Sequence, residues 1–303
     1  MRINKFLAEA GVCSRRGADT LVLAGAVSVN GTVVTTPGVQ IDERADRVAV
    51  RGRPVRLASV PPCCLMLNKP VRVVSTAKDP EGRPTVLDFI PPELATAGGQ
   101  PRRLYPVGRL DYFSEGLILI TDDGELTQRL VHPRHHVSKT YQVTVRGPLT
   151  PACLRRMREG MTLAEGERLA PVQARILKAG FAGATTLEMI LQQGVNRQIR
   201  RMCRDLGLTV LRLVRVAQGP LRLGDLAPGA VRALTEDEMR AIRHAVGLPA
   251  APERAGAPEP AAPSAERAAD AVLRHPAGCA RTQREPAPSS RRSAGAHARR
   301  QAR

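Results

Sequence analysis

The residues best placed to do chemistry lie in Gly108-Arg109-Leu110-Asp111-Tyr112-Phe113-Ser114-Glu115-Gly116, which leads into the apolar run Leu117-Ile118-Leu119-Ile120. A glycine-flanked polar loop abutting a buried strand fixes its carboxylate at the edge of a rigid sheet and leaves it open to a substrate. Asp111 is therefore a carboxylate placed to meet a substrate. From Ser138 the pattern alternates, so Lys139, Tyr141, Val143 and Val145 share one face of a predicted strand, with Thr140, Gln142 and Thr144 on the other. The chain has only three tyrosines and four phenylalanines, so the presence of Tyr112 and Tyr141 in these segments matters. An aromatic ring there can stack on a base or simply pack. With 41 Arg against 5 Lys, Lys69 and Lys139 also stand out, as places where a flexible ammonium serves better than a guanidinium fork.

A third constellation is Gln192-Gln193-Gly194-Val195-Asn196-Arg197-Gln198-Ile199-Arg200-Arg201-Met202-Cys203-Arg204. Asn196 suits a helix N-cap, and Ile199, Met202, Cys203 and Leu206 form an apolar stripe. Arg197, Arg200, Arg201 and Arg204 form a basic stripe of the same spacing, without an acid until Asp205. Such charges repel unless something anionic is near, and phosphates are the natural candidate. His132, His135 and His136 invite a metal reading, but no carboxylate spacing or cysteine pair accompanies them. Surface or RNA contact is expected there, and no metal.

These residues need elements to position them, and composition bounds what those can be. The 303 residues carry a formal charge of +18 and are 43% hydrophobic, enough for at least one real core. Collagen-like and disulfide-scaffold classes are excluded. No run approaches the roughly 20 apolar residues of a membrane span, and Met1-Arg2-Ile3-Asn4-Lys5 leads into an amphipathic stretch, so no membrane association and a cytoplasmic location are expected. The six cysteines form no C-x-x-C pair and read as reduced, mostly core residues. Basic excess in such a chain points to a polyanion, most often nucleic acid, with plain solubilising charge as the alternative. Residues 249–303 hold 17 Ala, 8 Pro and ten Arg against five acids, a tail expected to be disordered. Pro61-Pro62 suggests a linker after a small N-terminal module.

In that module Ile3, Phe6, Leu7 and Ala10 share helical spacing, Gly11 ends the helix and Ser14 caps a second one. Val27-Ser28-Val29 and Thr32-Val33-Val34 flank Asn30-Gly31, a hairpin turn, and Val48-Ala49-Val50 is a further strand. Arg2, Lys5, Arg15 and Arg16 lie off the apolar stripe as candidate RNA contacts. The arrangement resembles the S4 RNA-binding domain, with Gly17 where that family usually has a glutamate closing a capping box, which predicts a weaker helix start.

Taken together, Leu67-Asn68-Lys69-Pro70, Asp79-Pro80-Glu81-Gly82-Arg83-Pro84-Thr85-Val86, Gly108-Arg109-Leu110-Asp111 and Lys139-Thr140-Tyr141 resemble the bacterial RsuA/RluB/RluE/RluF family of rRNA pseudouridine synthases. The resemblance implies an α+β chain: an S4 domain over 1–58, a catalytic domain over 62–246 on a mixed, mainly antiparallel sheet, then the tail. It implies isomerisation of uridine to pseudouridine without metal or cofactor. Asp111 then matches the catalytic aspartate, either attacking the sugar or assisting removal of a sugar proton. Tyr141 matches the tyrosine that stacks on the target base, and Arg200 the basic partner of the aspartate. Arg109 matches the arginine thought to occupy the space left by a flipped nucleotide, while Lys139, Arg197, Arg201 and Arg204 are expected at RNA. Val71-Arg72-Val73 lacks the glycine common after Asn-Lys-Pro, which leaves that loop's shape open.

The segment Gln193 to Cys203, Cys13-Ser14-Arg15-Arg16 and the basic tail look closest to the F-type large-subunit enzymes, the favoured likeness, whereas Asp79 to Thr85 and His132-Pro133 are more like the B type. A 23S rRNA target near the peptidyl transferase centre, bound by a monomer, is the favoured expectation. A 16S rRNA or tRNA substrate stays open, as does a non-catalytic rRNA assembly factor, which Asp111 disfavours.

Overall fold

The computed structural model describes residues 1–57, 61–180 and 183–249. The predicted tail, apart from Pro249, and residues 58–60 just before Pro61-Pro62 of the predicted linker lie outside the described residues.

Two short helices open the chain, α1 (Ile3–Glu9) and α2 (Arg15–Leu23). The first stops where Gly11 takes a φ of 78°, which a side chain resists. Ser14 Oγ caps the second by accepting from Gly17 N at 2.9 Å. A glycine there cannot return the bond a glutamate would, so only half a capping box forms. Strands β1 (Val27–Val29) and β2 (Thr32–Val34) turn through Asn30 and Gly31, at φ 51° and 85°, as a tight hairpin demands. Strand β3 (Val48–Val50) adds to β1, and β4 (Arg53–Val55), which carried no sequence signal, adds to β3. Ile3, Phe6, Leu7, Ala18, Val22 and Val27 make the core of this module. Arg2, Lys5, Arg15 and Arg16 remain exposed around it.

The rest of the chain builds a nine-stranded sheet from β5 (Cys64–Lys69), β8 (Tyr105–Val107), β9 (Glu115–Thr121), β10 (Lys139–Arg146), β11 (Gln173–Ala179), β12 (Ala184–Leu191), β13 (Thr209–Gln218), β14 (Leu221–Arg222) and β15 (Val231–Ala233). A separate two-stranded pair, β6 (Thr96–Ala97) and β7 (Gln100–Pro101), sits in the β5–β8 connection. The main path runs β11-β12-β10-β13-β9-β5-β15, and every pairing in the sheet is antiparallel except β9 with β13. This is the mixed, mainly antiparallel α+β architecture expected.

Strands β5 and β9 are buried on both faces, which is why they read as continuous apolar runs. Met66, Leu117 and Leu119 pack under α3 (Gly124–Val131) and α6 (Glu236–Ala245), while Leu65, Leu67, Ile118 and Ile120 fill the opposite layer. On β10 to β13 a single face is covered, by α4 (Pro151–Glu159) and α5 (Gln198–Asp205), so β10 alternates with Val143 and Val145 inward. Helix α5 presents Ile199, Met202, Cys203 and Leu206 to that core, as predicted. Each large apolar side chain so buried contributes roughly 1.5–3 kcal/mol.

Candidate active site

Asp111 opens a tight turn in which Ser114 N donates to the Asp111 carbonyl at 3.0 Å. Most of the backbone carbonyls around that turn are held from outside it. Ser75 Oγ donates to Leu110 O at 2.9 Å and accepts from Leu110 N at 3.1 Å. Arg72 N donates to Tyr112 O at 2.7 Å, and Arg72 sits at φ 62°, so this loop keeps the left-handed bend that a glycine favours with an arginine in place. From below, Lys69 Nζ donates to Ser114 O at 2.8 Å. From α5, Arg200 Nη2 donates to Phe113 O at 2.8 Å and to Ser114 Oγ at 3.2 Å.

Arg200 Nε lies 3.7 Å from Asp111 Oδ2, an ion-pair distance too long for a hydrogen bond. The guanidinium therefore directs its strong hydrogen bonds to the turn's backbone and lends the carboxylate charge. The Asp111 side chain is 37% exposed against 18% for Arg200, so the carboxylate is the more open of the two to a substrate. Burial lowers the Arg200 pKa and the nearby Asp111 charge opposes that shift. A guanidinium keeps its proton in either case.

Behind the turn the strand registers align Tyr141, Arg215, Gly116 and Lys69 in one row across β10, β13, β9 and β5. Tyr141 is half-buried at a register shift in the β10–β13 ladder, where it touches two core clusters at once. Arg215 is buried, its Nε donating to Leu117 O at 2.6 Å and its Nη2 without a partner. Lys69 is fully buried, and burial lowers its ammonium from 10.5 to about 8, with Arg215 reinforcing and Asp111 and Glu115 opposing.

That shift has a sign. Between about 8 and 10.5 the unfolded chain binds more protons at this lysine than the folded one, so its contribution to stability rises with pH across that window. Below about 8 both states are charged and the folded state bears the full desolvation cost. Lys69→Met is expected to remove that rise, about 3 kcal/mol over the window. Urea unfolding of both proteins at about pH 7.5 and about pH 10 measures it; identical pH dependence in the two would contradict it.

The other predicted residues divide. Arg109 and Arg197 are exposed and free to meet RNA. Arg197, at φ 49°, is the N-cap of α5 and offers no side-chain cap, which corrects the expectation that Asn196 caps this helix. Within the chain, part of the basic stripe is already paired with carboxylates: Arg201 with Glu165 and Glu167, and Arg204 with Glu165 and Asp205, at 2.7 to 3.1 Å. Lys139 is partly buried and donates to Val137 O at 3.1 Å, so its ammonium serves the fold in this state. In the N-terminal module Lys5 lies 3.6 Å from Glu9. His132 accepts from Arg134 N and His135 Nε2 accepts from Arg134 Nε. Among the described residues no group of three His, Cys, Asp or Glu is placed to hold a metal. Arg215, Ser75 and Ser114 escaped sequence reasoning, because their partners are 98, 35 and 45 or more residues away.

Comparison with known proteins meets this geometry. A family model described as RNA pseudouridylate synthase matches residues 64–205, and an S4 domain model matches residues 1–48. An RNA pseudouridine synthase of Aquifex aeolicus is 40% identical over 256 residues, covering 84% of this chain and 98% of its own. The chain belongs to the RNA pseudouridine synthase family. The ribosomal large subunit pseudouridine synthase B of Bacillus subtilis is 38% identical across 80% of this chain and 95% of its own. A crystal structure of a pseudouridylate synthase superposes with a TM-score of 0.56 at 29% identity, covering 80% of this chain and 99% of that one. As an RNA pseudouridine synthase the protein is an isomerase of uridine in RNA, with an S4 domain ahead of its catalytic sheet. No helix among the described residues is long and apolar enough to cross a membrane.

Proposed function

We propose that this pseudouridine synthase isomerises a uridine of 23S rRNA near the peptidyl transferase centre, with Asp111 as its catalytic carboxylate. The observation that carries the reading is the Asp111 turn: a partly exposed carboxylate on a turn whose backbone is pinned, beside a guanidinium that gives its hydrogen bonds to the turn and not to the carboxylate. Pseudouridine formation breaks the N1–C1′ bond, turns the uracil and joins C5 to C1′, while C5 loses a proton to water and N1 gains one. Product and substrate are isomers, so the balance needs no co-reactant. Asp111 serves either by attacking C1′ or by assisting loss of a sugar proton as the glycosidic bond breaks. The base must leave its stack to turn, so the uridine is flipped toward the carboxylate, Tyr141 stacks on it and Arg109 occupies the space it leaves.

The S4 domain over residues 1–58 supplies Arg2, Lys5, Arg15 and Arg16 as docking charge that selects a landing place rather than a base. Action as a monomer is part of this proposal. The large-subunit choice is supported by the B-type relative, whose match spans most of the chain, whereas the F-type likeness favoured from the sequence is not established. The test is to map pseudouridines in both rRNAs of cells lacking this gene. Loss of one 23S pseudouridine is expected, and an unchanged 23S pattern would refute the target.

A further inference from the structure

Phe113 occupies the third position of the Asp111 turn and is 61% exposed, in a chain with only four phenylalanines. The other two described, Phe6 and Phe89, are buried at 3% and 9%. Its exposure is not looseness: its carbonyl accepts from Arg200, and its ring stands edge-on to Tyr112 with centroids 5.0 Å apart and planes at 77°. Tyr112 is in turn held through its carbonyl by Arg72. The ring is thus a braced apolar plate, its backbone within one turn of the reactive carboxylate. Arg200 meets the Phe113 carbonyl, Arg72 is bonded through its backbone to Tyr112 and exposes its side chain, and Arg109, also exposed, lies four residues earlier in the chain; such bases suit a polyanion rather than an apolar protein surface. A sequence-tolerant π-face beside cations is the device by which proteins grip single-stranded bases.

We propose that the Phe113 ring stacks on a base of the substrate RNA adjacent to the flipped uridine, holding the strand open while Asp111 reacts. This rests on the reaction proposed above. It differs from the roles given to Tyr141 and Arg109, since the base it grips is a neighbour of the target. In an Asp111→Asn background, which isolates binding from turnover, filter retention of a 23S rRNA transcript should weaken about 5- to 100-fold on Phe113→Ala. Phe113→Trp should restore it. Phe113→Leu, which keeps apolar bulk without a π-face, should not. With Asp111 intact, the loss should fall on KM rather than kcat, and the slope of affinity against salt should match wild type, since no phosphate contact is removed.

Equal affinity of the alanine variant for naked RNA would overturn the stacking role, as would full rescue by leucine. Absence of tritium release by the wild-type chain from C5-labelled rRNA would instead overturn the reaction. An exposed ring leaves the core intact, so unchanged melting of Phe113→Ala keeps these outcomes apart from misfolding.

Discussion

Asp111→Asn is expected to abolish turnover, with tritium release from rRNA labelled at uridine C5 falling by about ten-thousandfold or more. Asparagine keeps the shape of the side chain and the main-chain bond from Ser114 N to the residue 111 carbonyl, so the turn should persist. What it lacks is a carboxylate, and both routes open to this residue require one: an amide neither attacks C1′ nor takes up a proton. The next acid along the chain is not available for the task. Glu115 is engaged by Arg212 through two bonds of 3.0 and 2.9 Å and is only 19% exposed. RNA affinity should fall by a few-fold at most, because phosphate contacts elsewhere supply most of it. Release within tenfold of wild type would remove Asp111 from the mechanism and leave Arg200 with a structural role alone.

Much of this site was legible before any coordinates, for a physical reason: it is built on elements whose local pattern is strong. The Asn30-Gly31 hairpin, the apolar run of β9 and the apolar stripe of α5 each follow from short-range spacing, and together they place Asp111 and Arg200. Hidden from the sequence were the pairings that close over distance. Arg215 shares a face of β13 with Leu213 and Ala217, and it is held between β10 and β9, pairings with Tyr141 and Gly116 that no local spacing announces. Arg201 and Arg204 suggested a phosphate partner, but the chain supplies carboxylates from a turn some 36 residues upstream. The N-cap of α5 moved by one residue because Arg197 adopts a left-handed conformation, which spacing does not encode.

The single parallel contact in the sheet makes the second large prediction. Gly116 has a φ of 104° and pairs with Arg215, and a Cβ placed on it would stand 2.3 Å from the Arg215 carbonyl oxygen and 2.7 Å from its nitrogen. Those are main-chain atoms inside a ladder, with no flexible end to move aside. Gly116→Ala must therefore part β9 from β13 along the row that carries Tyr141, Arg215 and Lys69. A loss of about 4 kcal/mol or more is expected, lowering Tm by more than about 8 °C in circular dichroism melts. Gly166→Ala is the control, since its φ of 86° is also left-handed but its added Cβ meets nothing within 4 Å. It should lose only the conformational part, about 1–2 kcal/mol. Equal melting of the two variants would mean that β9 and β13 can separate at no cost, and that the close approach does not hold the Asp111 turn in place.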